Sequence, residues 1–431
     1  MLLRLAIPMI LTNISTPLLG LVDTAVLGHL DSAQYLAAVA LGGLIFSFIF
    51  WGFGFLRMGT TGLTAQAVGQ GDKQESVLVL FRAGLLAIVI SCVVLFLAPL
   101  ISQISFYLLE SEQAVEKAAA IYFDVRIFST PATLCQYVML GWFLGRQNVK
   151  IPLLVVLITN LSNIFLDLLF VYYFGMQVDG VALASVISEY LGLLVSLVCT
   201  VRILVKEKQV CSFRLILNYK KLKSMLLINT HIFVRTWCLI FTFAFFTAQG
   251  AKFGSVILAA NAVLLNFQTF MAYALDGFAH AAEALVGKAV GKRNKLMIKQ
   301  TCITAIFWSF NIALLFALLY QFFGFLIIDK LTSLNDVRLA AYCYLPYLIA
   351  MPLASFICYV FDGIFIGAMM AREMRNTMLF SLFLVFIPVW FFTQNMGNHG
   401  LWIAMLAFML ARGLSMSIIF IQKRLTAKWK Y

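Results

Sequence analysis

Apolar runs, each long enough to cross a hydrocarbon layer, follow one another from end to end of the 431-residue chain with only short polar breaks. A helix needs about 20 residues to cross the ~30 Å core of a bilayer. On that measure the runs predict spans near 5–28, 36–60, 77–101, 119–143, 151–174, 181–204, 226–249, 255–285, 301–328, 339–368, 376–394 and 400–421. The runs are continuous rather than alternating, which favours helices over barrel strands, and a helix satisfies all its backbone groups internally. Only 11% of the residues are charged, against roughly 25% in an average soluble domain, so little is left over for a water-soluble part. The expected fold is an all-α integral membrane protein with twelve transmembrane helices. The first run continues for a full span after Arg4 without a small-residue cleavage site, so no cleavable signal is expected.

The formal charge of +13 sits almost wholly on one side of this topology. With the N-terminus on that side, it collects Arg4, Lys73, Arg146 and Lys150, the runs Arg202 to Lys223 and Lys288 to Lys299, Arg372, Arg375 and the C-terminal cluster. The opposite side has Lys117, Lys252, Lys330 and Arg338. Basic loops stay cytoplasmic, so both termini are expected in the cytoplasm and the number of crossings is even. The charge reads as an orientation signal and not as a nucleic-acid surface. The eight cysteines are scattered, with no CxxC pair, so free thiols are expected rather than a metal or redox site.

The two halves of the chain resemble each other. Ala67-Val68-Gly69 matches Ala289-Val290-Gly291 at an offset of 222, and the same offset pairs Gly141 and Gly145 with Gly363 and Gly367. The longest basic loop lies at the midpoint. This predicts an N-lobe over 1–205 (helices 1–6), a cytoplasmic linker over 206–224 and a C-lobe over 225–431 (helices 7–12). Two six-helix bundles in parallel orientation imply a pseudo-two-fold axis along the membrane normal, an arrangement found in rocking transporters. The shared Gly-x-x-x-Gly spacing predicts close helix packing.

Ionisable groups at membrane depth cost about 2.5–3.5 kcal/mol or more, so each needs an explanation. Asp23 stands in the first span with no basic residue within a turn. Asn160, Asn163 and Asp167 fall on one face of the fifth. Acids and amides of this kind can hold a hard monovalent cation or a transferable proton; they can also be ordinary polar bonds between helices. The second half mixes signs: His231 and Arg235 in span seven, Asp276, His280 and Glu283 in span eight, and Asp362 in span ten. Arg235, Asp276, Glu283 and Asp362 are candidates for substrate or proton handling, or for a structural ion pair. Arg57 has no evident role. Pro8 and Pro17 both lie in the first span and remove ladder hydrogen bonds, which predicts a kinked or deformable helix. The 40 Phe and 17 Met residues face lipid for the most part, with some available to line an adaptable cavity. There is no Walker-type loop, no HExxH and no converging nucleophile, so the chain is not expected to be an enzyme or a nucleotide-driven pump.

Several segments together, RLAIPMILTNISTPLLGLVDTAVLGHLDS, FLRMGTTGLTAQAVG, LGWFLGRQNVKIPLL, NLSNIFLDLLF and YALDGFAHAAEALVGKAVG, resemble the multidrug and toxic compound extrusion (MATE) family, in its DNA-damage-inducible (DinF-type) bacterial branch. The resemblance spans nearly the whole chain. It implies a multi-pass protein of the bacterial inner membrane, monomeric, exporting small organic and mostly cationic compounds in exchange for protons or sodium by alternating access. Position by position it implies a cation-coupling site of Asp23, Asn163, Asp167 and Ser185, able to take H+ or Na+ and needing no further cofactor. Pro8 matches a first-helix proline around which that helix bends. Acids of the C-lobe in other branches do not align with Asp276, Glu283 or Asp362. The alternatives within the superfamily are a lipid-linked precursor flippase, which would favour extra spans and a cationic cavity, and a metabolite exporter.

Overall fold

The computed structural model describes residues 2–27, 33–109, 112–208 and 213–425, with the side chains of 16–33, 213, 424 and 425 outside the description. Among the described residues there are twelve membrane-length helices, one for each predicted span: α1 (Leu2–Leu27), α2 (Gln34–Gln70), α3 (Lys73–Phe96), α4 (Gln113–Gly145), α5 (Lys150–Tyr173), α6 (Val178–Lys206), α7 (Tyr219–Ala251), α8 (Ser255–Gly291), α9 (Lys295–Leu331), α10 (Asn335–Gly367), α11 (Ala371–Met396) and α12 (Asn398–Leu425). A short helix Ala98–Leu109 follows α3, and a single turn Phe213–Ile216 lies in the central linker. Many large apolar side chains point outward, Phe96 at 84% exposure and Phe392 at 80% among them. In water such surfaces would drive aggregation; against lipid they carry no penalty.

The chain divides into two compact units, Leu11–Leu226 and a second made of Leu227–Tyr431 together with Met1–Ile10. The expected N-lobe of 1–205 thus differs at its beginning, because the first turns of α1 pack with the C-terminal unit. Gly277 of α8 explains the attachment: a Cβ there would lie 2.3 Å from Ile10 and 3.2 Å from the Ala6 carbonyl oxygen. Close approach through small residues, rather than hydrophobic burial, is what associates helices in lipid.

The internal repeat reappears in this packing. A Cβ on Gly141 of α4 would strike the Arg57 carbonyl oxygen of α2 at 2.5 Å, and one on Gly145 would meet the Thr61 oxygen at 2.7 Å. In the other unit, a Cβ on Gly363 of α10 would lie 2.1 Å from the Ala279 oxygen of α8, and one on Gly367 would lie 2.4 Å from the Glu283 oxygen. The contact partners are themselves separated by the offset that relates the glycines.

The prolines do not mark the irregular turns. The backbone of α1 is helical without interruption through Pro8 and Pro17, so no helix break accompanies them, and Pro17's side chain lies outside the described residues. Breaks occur instead at Phe53–Gly54 in α2, at the 3-10 turn Ile127–Ser129 in α4 and in wide turns over Leu169–Tyr173 of α5 and Ser381–Phe386 of α11.

The linker is anchored by Arg82, a buried residue of α3. Its guanidinium donates to the Leu215 carbonyl at 2.9 Å and the Ile216 carbonyl at 3.2 Å, and it pairs with Glu75 at 3.0 Å. Lys221 reaches the same Glu75 at 3.1 Å. Hydrogen bonds from a charged donor contribute about 1.5–3 kcal/mol each. Arg82→Ala is therefore expected to release the Phe213–Ile216 turn and to speed tryptic cleavage at Arg214 or Lys220 about tenfold, read by limited proteolysis; an unchanged cleavage rate would contradict the anchor.

Candidate functional site

In the N-terminal unit α5 and α6 run antiparallel side by side, and their shared face is polar. Asn163, Asp167, Ser185 and Ser188 are buried there, Asp167 with no exposed surface at all. With its amide nitrogen turned toward Asp167, the Asn163 carboxamide donates to Asp167 Oδ2 at 3.3 Å. Its oxygen then accepts from the Ser185 backbone N–H at 3.2 Å and from Ser185 Oγ at 3.3 Å. An ionised carboxylate is acceptor-only, so it demands the amide N–H; a protonated carboxyl has an O–H of its own to give. The Asn163 amide is thus placed to respond to the charge state of Asp167.

Three of the four residues expected at a coupling site are brought together in this way. The fourth, Asp23, belongs to helical backbone of α1, but its side chain lies outside the described residues. Asn160, a turn before Asn163, donates to the Ser15 carbonyl at 3.2 Å and ties α5 to α1. The three α5 positions expected to share a face therefore divide their work: Asn160 holds the neighbouring helix, while Asn163 and Asp167 meet α6.

The polar face continues past Ser185. Gln136 of α4 donates from one nitrogen to Glu189 Oε2 at 2.8 Å and to the Glu189 carbonyl at 2.6 Å. Sequence reasoning passed over Glu189, although it is a carboxylate within a span and meets the same criterion that singled out Asp167. Arg57, whose role was open, lies within electrostatic reach of Tyr137 on α4, and its Nη1 has no hydrogen-bond partner among the described residues.

The C-terminal unit is built on a different plan. Arg235 of α7 and Arg412 of α12 both bond to Oδ2 of Asp362 on α10, Arg412 at 2.9 Å. All three are buried, Arg412 to 1% exposure, and Arg412 also lies 5.5 Å from the Phe408 ring centroid. Two guanidinium groups thus converge on one carboxylate oxygen. Of the four C-terminal candidates, Arg235 and Asp362 are paired, and Asp276 lies within electrostatic reach of Arg412. Glu283 is buried further along α8, its backbone oxygen forming the seat for Gly367. His231 does not join Arg235; its Nδ1 is 3.1 Å from the Arg375 guanidinium of α11. Arg412 was missed because its position near the middle of an otherwise apolar span says only that a counter-charge must exist, not where. A separate buried network, in which Asn261 and Asn398 exchange amide bonds at 2.8 and 2.9 Å and Trp402 donates to Asn261 at 3.0 Å, locks α8 to α12.

Comparison with known proteins gives a consistent picture. The MatE family profile matches residues 8–169 and 232–392. The chain is 40% identical over 421 residues to the DNA damage-inducible protein F of Escherichia coli K12, covering 96% of this chain and 90% of that one. Among solved structures it superposes on a MOP superfamily transporter from Pyrococcus furiosus, whose description refers to reverse polarity of its binding pocket, with a TM-score of 0.87, 19% identity and coverage of 100% and 96%. A Vibrio cholerae MATE transporter gives a TM-score of 0.87 at 21% identity, with coverage of 99% and 97%. At these identities the structural likeness speaks for the fold.

Proposed function

The chain belongs to the MatE family of membrane transporters for multidrug and toxic-compound efflux, and from that premise we propose that it is a secondary antiporter of the bacterial inner membrane. It expels small organic compounds, mostly cations, in exchange for protons or sodium, with Asp23, Asn163, Asp167 and Ser185 as the coupling site and both termini in the cytoplasm. The observation that carries this reading is the contrast between the two units. Asp362 is bonded by two guanidinium groups. Asp167, fully buried, accepts from the Asn163 amide, which in turn meets the Ser185 hydroxyl. A buried carboxyl that accepts from an amide can gain and lose a proton, or exchange it for a monovalent cation, within reach of ordinary gradients.

The test is efflux of a fluorescent organic cation from proteoliposomes under separately imposed pH and sodium gradients. Acceleration by at least one inward gradient is expected. Flux that ignores both would remove the antiport reading, and which gradient acts identifies the coupling ion.

A further inference from the structure

We propose that Glu189 is a second proton-holding group of the N-terminal unit, placed on the same face of α6 as the Asp167 site and exchanging protons with it during the transport cycle. The proposal rests on the antiport reading above and adds to it a carboxyl and a direction of proton movement along α6.

Ser185, Ser188, Glu189 and Gly192 stand at i, i+3, i+4 and i+7 on α6, so they line one face. At about 1.5 Å of rise per residue, Glu189 lies roughly 6 Å along the helix from Ser185, which bonds Asn163. Ser188 donates back to the Ser185 carbonyl at 2.9 Å. The carboxyl itself is held by Gln136, one amide nitrogen spanning its Oε2 and its backbone oxygen.

One turn further on, Gly192 makes room for the rest of the group. A Cβ there would fall 2.2 Å from Thr159 Oγ1 and 3.0 Å from both ends of the Gln136 amide. The Thr159 hydroxyl and the Gln136 carboxamide therefore close together over the bare backbone beside Glu189. Thr159 is 7% exposed and its hydroxyl has no hydrogen-bond partner among the described residues. A hydroxyl is donor and acceptor at once, and leaving one unused in a dry interior is unfavourable.

The groups that face Glu189 set its balance. From α4 come Arg126, Thr133 and Gln136, with Tyr137 also within electrostatic reach; Arg57 of α2 acts on that tyrosine; Thr159 comes from α5. The Arg126 guanidinium lies 5.9 and 6.0 Å from the Phe46 and Tyr122 ring centroids. Before substrate binds, both carboxyls are neutral and hold one proton each. Substrate drives the Asp167 proton into water; the Glu189 proton then passes to the vacated Asp167 carboxylate and leaves by the same route, so that two protons are released and both groups end as carboxylates.

The experiment counts protons released by the full-length protein in unbuffered detergent solution as ethidium is added, for wild type, E189Q and D167N. E189Q is expected to bind ethidium and release roughly half as many protons as wild type, because two coupled carboxyls share the count. An E189Q count equal to wild type, with a reduced count for D167N, overturns the Glu189 proposal and leaves the coupling site standing. A wild-type count for D167N overturns the coupling site itself. Should E189Q fail to fold because Arg126 is left without its counter-charge, R126Q/E189Q is read in its place, and a wild-type count there is equally fatal.

Discussion

Replacing Asp167 by Asn is expected to lower gradient-driven efflux by about one to two orders of magnitude while the protein still inserts and purifies normally. Asparagine matches the carboxylate in size, so the buried contact between α5 and α6 survives, and its amide can still exchange hydrogen bonds with Asn163. What disappears is the ability to alternate between a charged and a neutral state. Coupling free energies between two ligands are typically 1–3 kcal/mol, or about 5- to 150-fold, which sets the size of the loss. Ser185→Ala removes one hydroxyl from the Asn163 oxygen and leaves the Ser185 backbone N–H in place; at about 0.5–1.5 kcal/mol it should slow efflux only a few-fold. The ranking is as informative as the sizes. Proteoliposome flux and size-exclusion profiles of both variants measure it, and wild-type flux in Asp167→Asn would remove this site from the mechanism.

Much of this arrangement was legible before any coordinates. Twelve spans follow from lipid's demand that each backbone group be satisfied within its own segment, so run length alone located them. The offset of 222 that pairs Gly141 with Gly363 proved to be a statement about contacts, since their seats, the Arg57 and Ala279 oxygens, carry the same offset. Asn163 and Asp167 were visible because amides and acids stand out against an apolar background. What sequence withheld was pairing. Asp362 is 127 positions from Arg235 and 50 from Arg412, and a charge within a span announces that a partner is required without naming it. Glu189 was as visible as Asp167, an acid within a span; what sequence did not give was its setting, which depends on Gln136 and on a glycine that lets Thr159 approach. The irregular turns were not legible from the prolines. A missing N–H weakens one ladder bond, but the helical path of α1 continues through Pro8 and Pro17, whereas the wide turns of α5 and α11 contain no proline in Leu169–Tyr173 or Ser381–Phe386.

The C-terminal triad yields the other large effect, and here the sign of the charge left behind decides the outcome. Asp362→Asn removes the carboxylate that both buried guanidinium groups bond. Removing one partner of a buried ion pair costs about 3–5 kcal/mol, and with two cations exposed to each other the loss should lie at the upper end. A drop in melting temperature on the order of 10 °C in detergent is expected, with poor recovery of folded protein. Arg412→Met removes the surplus cation instead. It leaves the Arg235–Asp362 pair intact, fills the space beside Met409 and Phe408 with an apolar chain and relieves the unmet Nε donor of Arg412, so it should melt within a few degrees of wild type. A fully neutral triple variant, R235M/D362L/R412M, should recover most of the stability that Asp362→Asn loses, because well-packed apolar replacements often match a buried ion network. If Asp362→Asn melts like wild type, or if Arg412→Met is as damaging, the two arginines are not balanced by this aspartate. The doubly paired carboxylate that sets the C-terminal unit apart from the proposed coupling site would then lose its basis.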